Sequence, residues 1–210
     1  KQGFHWRNFF SVYSRAFENK FLKILLIVMF CTESAWFLYS HYVPMYVNIA
    51  FRYVPHQIGA LMSTAGGIYI FSVLVIIRIL LRYMQEKKLL ITSLSLMLLG
   101  VIFISLFPYE LSFWFNMVPL VVGDSISYVT ILSLFSNVAG IEEQGWVLGV
   151  ARATVSLARM FGSLLTFGVL ISLRTPFFIS LLLVVIALMT FTLRFRGYTG
   201  REAFKNKITN

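Results

Sequence analysis

Residues 89–108 read LLITSLSLMLLGVIFISLFP and contain no charged side chain. A helix of roughly 20 mostly apolar residues crosses the hydrocarbon core of a bilayer, which is about 30 Å thick. This stretch therefore predicts a membrane-spanning helix. The composition agrees, because 59% of the chain is hydrophobic and only 12% is charged, whereas soluble domains average about 45–50% apolar and about 25% charged residues. Soluble enzymes, disordered segments and nucleic-acid-binding domains are disfavoured classes.

Five further stretches on either side of residues 89–108 have the same character. We predict spans at residues 21–47, 57–82, 88–108, 111–136, 145–172 and 175–195. Helices are expected because lipid offers no hydrogen-bond partner to an open backbone. The predicted fold is an all-α integral membrane bundle of six transmembrane helices.

Lysine and arginine are concentrated before the first predicted span, between the second and third, and after the last. On the opposite side lie only Arg52 and Arg174. Positive residues accumulate on the cytoplasmic side of membrane proteins, so both termini are predicted to be cytoplasmic. The net charge of +10 is interpreted as a topology signal and an attraction to anionic lipid rather than to nucleic acid.

The segments that flank the bundle are predicted to lie at the cytoplasmic surface. Aromatic residues recur at spacings of three and four in the first of them: Trp6, Phe10, Tyr13, Phe17 and Phe21. This pattern favours an interfacial amphipathic helix or linker at residues 1–20, although a simple cytoplasmic start of the first span is an alternative. Residues 196–210 are predicted to form a basic cytoplasmic tail.

Four ionisable side chains fall near half depth in the predicted spans: Glu33, Asp124, Arg152 and Arg159. Such a charge costs about 2.5–3.5 kcal/mol on insertion scales and usually faces a bundle interior or an aqueous cavity. One hypothesis is a set of ion pairs that only hold helices in register. The other is a functional site. Because burial disfavours the charged form of a carboxyl group, the two acids are candidate proton carriers, and the two arginines suit an anionic or zwitterionic substrate.

Other candidate residues follow from position. Ser156 lies on the arginine-bearing helix, and His41 lies on nearly the same face as Glu33 and is either a site residue or an interfacial anchor. Small residues that permit close helix packing or gating are Gly66, Gly67, Gly145, Gly149 and Gly162. With one cysteine, scattered histidines and no catalytic motif, neither an enzyme nor a metal or cofactor site is predicted.

Residues 137–168, NVAGIEEQGWVLGVARATVSLARMFGSLLTFG, resemble the segment that opens the eleventh helix of major facilitator superfamily transporters. They are most similar to the drug:proton antiporter branch, which includes tetracycline exporters. The matching residues are Gln144, Gly145, Gly149, Leu157, Ala158 and Gly162, whereas Ser163 stands where that branch commonly has proline. The basic connection after the second span looks like the second, degenerate copy of the family's cytoplasmic loop motif, with Arg78, Arg82, Lys87 and Lys88.

The resemblance implies the C-terminal six-helix half, helices 7–12, of a twelve-helix carrier, whose partner is the N-terminal half of the same transporter. The start at Lys1 rather than methionine agrees with that expectation. In this family two bundles rock around a central site, so we expect secondary-active transport of a small molecule by alternating access.

The resemblance implies that a proton gradient, not a cofactor, supplies the energy. The expected activity is export of drug-like compounds or transport of an amino acid or organic anion, in a bacterial inner membrane. A stand-alone six-helix membrane subunit, acting as a scaffold or a homodimeric channel, is the alternative.

Overall fold

The computed structural model of the protein describes residues 13, 14, 16–139, 143–166 and 172–195. These residues form six helices that are long and apolar enough to cross a membrane, which confirms the predicted all-α class. The helices are α1 Lys20–Phe51, α2 Pro55–Tyr83, α3 Glu86–Leu106, α4 Glu110–Val138, α5 Gln144–Leu165 and α6 Thr175–Phe195. Most of the predicted interfacial segment at 1–20 and all of the predicted tail at 196–210 lie outside the described residues.

Helix α1 is the centre of the bundle. It packs against α4, α5 and α6, and both of its ends have a local cause. At the start, the Asn19 side chain accepts hydrogen bonds from the backbone N–H groups of Phe21 and Leu22, at 2.9 and 3.4 Å. At the end, Arg52 adopts a left-handed conformation with φ 57°. The helix therefore continues past the predicted end at residue 47.

Helix α2 packs mainly against α4 and leaves most of its surface exposed. Its middle contains a π-helical segment, Ser72–Ile76. There the buried Ser72 hydroxyl donates a hydrogen bond to the Ile68 carbonyl at 2.7 Å. The apolar sequence of this segment, SVLVI, gives no signal that distinguishes it from an ordinary α-helical turn.

Helices α3 and α4 form the most extensive pairwise interface. A Cβ atom at Gly123 would lie 2.5 Å from the Met97 backbone nitrogen, and one at Gly100 would lie 2.9 Å from Leu120 Cβ. Two backbones can approach this closely only where side chains are absent. These two glycines were not among the predicted packing residues.

The predicted packing glycines behave differently from one another. A Cβ at Gly162 on α5 would lie 3.1 Å from the Ser34 carbonyl oxygen of α1, which is a tight contact between two helices. At the other four positions, no described atom of a neighbouring element lies within 4 Å of a Cβ: Gly66, Gly67, Gly145 and Gly149. Any packing role of those four must therefore involve something outside the described bundle.

At the end of the bundle that carries Arg82, Lys87 and Lys88, a carboxylate ties α3 to α4. Glu86 accepts hydrogen bonds from the Ser133 hydroxyl at 2.6 Å and from the Asn137 amide nitrogen at 3.0 and 2.8 Å. These bonds fix the two helix ends relative to each other.

Candidate functional site

Four of the six helices line a partly open cavity of about 490 Å³. Helices α1, α2, α4 and α5 supply its wall, whereas α3 and α6 pack behind it. The lining residues are Glu33, Trp36, Tyr39, Ser40, Met62, Ala65, Gly66, Tyr69, Met117, Asp124, Tyr128, Arg152 and Arg159. All four of the predicted mid-span ionisable residues therefore face one space.

The relative position of Glu33 and Arg159 is set by the residues next to them. The Ser34 hydroxyl donates a hydrogen bond across the α1–α5 interface to the Ala158 carbonyl at 3.1 Å. The close approach of the two helices at Gly162 holds the same interface. Because Ser34 follows Glu33 and Ala158 precedes Arg159, this contact brings the carboxyl and the guanidinium to the same level of the cavity.

Asp124 is almost fully buried in the wall, with 2% of its surface exposed. Its Oδ1 atom has no hydrogen-bond partner in the described part of the chain. The adjacent hydroxyls do not supply one, because Ser125 and Ser127 donate to the backbone carbonyls of Val122 and Asp124. Buried polar atoms are normally hydrogen-bonded, so this atom is available to a proton, a water molecule or a ligand.

The two arginines have different surroundings. Arg152 donates a hydrogen bond from Nη1 to the Tyr128 hydroxyl at 2.6 Å, and its guanidinium lies 5.8 Å from the centre of the same ring. Arg159 is exposed and makes no side-chain hydrogen bond in the described residues. A guanidinium has five N–H donors, so Arg159 retains its full capacity to bind an anion.

The acids and the arginines interact through space without forming contact ion pairs. Glu33 experiences the charges of Arg159 and Arg152, and Asp124 experiences those of Glu33 and Arg159. Among these described residues, however, no nitrogen–oxygen distance between an arginine and an acid is 4.0 Å or less. A purely structural ion pair would bring an arginine and an acid into direct contact. Here the cavity lies between the arginines and the acids instead.

Some predicted site residues lie elsewhere. His41 is exposed, stacks on Phe37 with ring centres 3.8 Å apart, and does not line the cavity. Ser156 is also exposed, and its hydroxyl donates to the Arg152 carbonyl at 3.3 Å. Of the small residues in α2, Gly66 lines the cavity and Gly67 does not. The basic residues of the α2–α3 connection lie outside the lining as well: Arg78, Arg82, Lys87 and Lys88.

The apolar and aromatic part of the lining was not predicted from the sequence: Trp36, Tyr39, Met62, Ala65, Tyr69, Met117 and Tyr128. Trp36 lies three residues after Glu33, and Tyr128 lies four after Asp124. Residues three and four apart share a helix face, so the spacing from the ionisable residues could have found these two. Met62 and Tyr69 lie on α2, which carries no Asp, Glu, Lys, Arg or His between these two residues. No such spacing therefore indicates them.

The site combines two carboxyl groups, two guanidinium groups and a wall of flat aromatic rings. It can hold a proton on a carboxyl group and an anionic or zwitterionic small molecule on a guanidinium. This combination is typical of a mid-membrane binding site in a carrier.

The comparison with known protein families identifies the family of this chain. The sequence profile of the Major Facilitator Superfamily matches residues 2–163, which include α1 to α4 and most of α5. No curated protein sequence matches the chain significantly. The profile covers well over half of the chain and includes every residue of the cavity wall. The chain is therefore an integral membrane protein that belongs to the Major Facilitator Superfamily of transporters.

Proposed function

We propose that this chain is the C-terminal six-helix half of a secondary-active carrier, which moves a small molecule by alternating access and is coupled to protons. The observation that carries the proposal is the cavity itself, because it gathers two acids and two arginines near the middle of membrane-spanning helices without pairing them. Intramembrane ionisable residues that face a cavity are typical of substrate and proton pathways.

The proposed partner is the N-terminal six-helix bundle of the same transporter, which would close the open side of the cavity. The glycines at which an added Cβ atom would meet no described neighbour lie on α2 and α5. These are the two least central of the helices that line the cavity. Small residues on an exposed helix face allow another helix to approach closely. The similarity of residues 137–168 to an eleventh helix supports the assignment to the C-terminal half.

In this mechanism each part of the site has one role. Glu33 and Asp124 carry the proton, whereas Arg159 and Arg152 contact the substrate. The open glycines provide the surface on which the two bundles rock, and the basic α2–α3 connection is the cytoplasmic loop motif. The energy comes from the proton gradient across what we expect to be a bacterial inner membrane, without a cofactor.

The same open face supports a second candidate, a stand-alone six-helix subunit that pairs with a copy of itself as a scaffold or channel. The two candidates differ in what completes the cavity. A purified protein of twelve helices that is monomeric supports the carrier, whereas a six-helix protein that purifies as a dimer supports the subunit.

The test of the carrier is transport by the full-length protein in proteoliposomes with an imposed pH gradient. Uptake of radiolabelled benzoate, phenylalanine and tetraphenylphosphonium is followed with and without the gradient. We expect gradient-dependent uptake of at least one probe, and its loss in Glu33→Gln. The matched control is Glu110→Gln, because Glu110 is an exposed acid at the start of α4, away from the cavity. Gradient-driven uptake that is equal in Glu33→Gln and in the unmodified protein would contradict the coupling role.

A further inference from the structure

We propose that the cavity binds a monovalent organic anion with a planar apolar body, such as an aromatic carboxylate, and that it binds this anion together with one proton. The anion and the proton then move across the membrane in the same direction. This inference rests on the proposed function, since it names the substrate class and the sign of coupling for the same site.

The positive and the negative groups of the cavity differ in how accessible they are to an entering ligand. Both arginines line the cavity and have exposed side chains. Both acids line the same cavity but are buried, with Glu33 4% and Asp124 2% exposed, so they are less accessible to an entering ligand than the arginines. An entering anion is therefore attracted by the groups it meets first, whereas an entering cation is repelled by them.

The two arginines differ in how many of their donors remain free to bind a ligand. Arg152 is oriented by its hydrogen bond to Tyr128 and by the ring beneath it. Arg159 has no such restraint in the described residues. Its planar guanidinium matches the two oxygens of a carboxylate, and such bidentate pairs are among the strongest hydrogen-bonded contacts in proteins. The geometry makes Arg159 the principal contact for a carboxylate ligand, with Arg152 as a second positive charge beside it.

Binding of the anion and binding of the proton are linked at this site. Glu33 faces Arg159 and Arg152 from α5 and Asp124 from α4, and Tyr69 of α2 also lies within the field of both acids. A ligand carboxylate on Arg159 takes up the positive charge that otherwise offsets these acids. Two neighbouring buried carboxylates then repel each other, which favours the protonated form of one of them. One proton from water adds to one carboxylate oxygen, and the total charge of the occupied site stays the same.

This linkage has a fixed sign. If the anion favours protonation, protonation must favour the anion by the same factor, because coupling between two binding equilibria is reciprocal. An organic cation would bind to the acids and displace the proton instead. The sign therefore separates cotransport of an anion and a proton from exchange of a cation for a proton.

The remaining wall indicates the shape of the ligand. The indole of Trp36 stacks on the ring of Tyr39 with centres 5.9 Å apart, and Tyr69, Met62 and Met117 complete an apolar surface. Aromatic and thioether groups pack well against flat rings. A cavity of about 490 Å³ accommodates a small aromatic acid in addition to a few water molecules.

The direct test is proton uptake on ligand binding by the full-length protein in weakly buffered detergent solution containing a pH indicator. The probes are benzoate, phenylacetate and indole-3-acetate, with tetraphenylphosphonium as the cation. We expect about one proton to be taken up per bound carboxylate, and the affinity for the carboxylate to fall as the pH rises. Proton release on carboxylate binding, or binding of none of the three carboxylates, overturns the inference.

Variants identify the groups involved. Arg159→Gln should weaken carboxylate binding by about 10- to 100-fold, the range expected for loss of hydrogen bonds to a charged group. Arg159→Lys keeps the positive charge but loses the paired N–H donors. Its affinity for the carboxylate should therefore lie between those of the unmodified protein and Arg159→Gln. Arg174→Gln, in the exposed turn before α6, is the matched control and should bind normally. Folding of each variant is checked by size-exclusion chromatography, and equal affinity of folded Arg159→Gln and Arg174→Gln overturns the assignment of Arg159.

The outcomes separate this inference from the proposed function. Proton-driven transport of tetraphenylphosphonium with proton release on binding leaves the carrier intact and overturns the anion site. Proton-linked carboxylate binding without gradient-driven transport upholds the anion site and contradicts the carrier.

Discussion

The α3–α4 interface and the cavity wall are built from the same kinds of residue, but they use them in opposite ways. At the interface, Gly123 meets the backbone of α3 and Glu86 accepts three hydrogen bonds. At the cavity, Gly66 meets no neighbour and Asp124 Oδ1 has no partner within the described chain. The interface contacts are made within this bundle, whereas the described residues leave these two groups of the cavity wall without a neighbour or partner. Contact, rather than residue type, therefore distinguishes the supporting part of this fold from the proposed site.

The largest expected effect is that of Gly123→Ala, which tests the tight side of the comparison. The new methyl carbon would lie 2.5 Å from the Met97 nitrogen and 2.7 Å from the Ser93 carbonyl oxygen. Backbone atoms cannot move aside as a flexible side chain can. We expect a loss of about 3 kcal/mol or more of stability, the upper range for overpacked sites, measured as a fall in melting temperature by size-exclusion chromatography after heating.

The matched control is Gly59→Ala near the start of α2, where no described atom lies within 4 Å of the added carbon and which is not one of the four glycines assigned to the surface between the bundles. It should leave the melting temperature nearly unchanged. A similar loss of stability in both variants would remove the distinction between the two regions.

An intermediate effect is expected for Glu86→Gln. The neutral amide keeps the size of the side chain but offers one acceptor oxygen where the carboxylate offers two to Ser133 and Asn137. Since hydrogen bonds to charged groups are stronger than neutral ones and this site is partly exposed, we expect about 1–2 kcal/mol of destabilisation. The melting temperature of the detergent-solubilised protein measures it, and Ser133→Ala should reproduce part of the loss. An unchanged melting temperature in both variants would show that this network does not stabilise the bundle.

The smallest effect on stability, and of opposite sign, is expected for Asp124→Asn. The amide removes the cost of burying a charge, although it keeps an acceptor oxygen and adds two N–H donors, so the melting temperature should stay the same or rise by the equivalent of at most about 1 kcal/mol. Gradient-driven transport should nevertheless fall, because the amide cannot carry the proton. If the variant is less stable and transports normally, Asp124 has a structural role like that of Glu86 and does not carry the proton.

The sequence predicts the membrane-spanning segments because the bilayer imposes one strong requirement on length and polarity. The same requirement made Glu33, Asp124, Arg152 and Arg159 conspicuous, since each is costly in an apolar segment. The structure adds that these four residues share one cavity.

Other features depend on which helices become neighbours, and the sequence carries no direct signal of that. Gly123 looks like any membrane glycine until α3 lies against it, and Gly145 looks like a packing residue although nothing described contacts it. Tyr69 faces the cavity, but tyrosines are also common at the membrane interface. Periodicity alone could not separate these possibilities.

The π-helical segment of α2 has a consequence for how this helix is aligned. An α-helix turns about 100° per residue, and a π-helical turn takes in an additional residue. The face that carries Tyr69 and the face that carries Arg78 therefore do not follow one continuous helical wheel. If a single residue within Ser72–Ile76 is deleted, the π-helical segment can convert to a regular α-helical turn. The two ends of α2 can therefore rotate relative to each other while the helix neither becomes longer nor breaks.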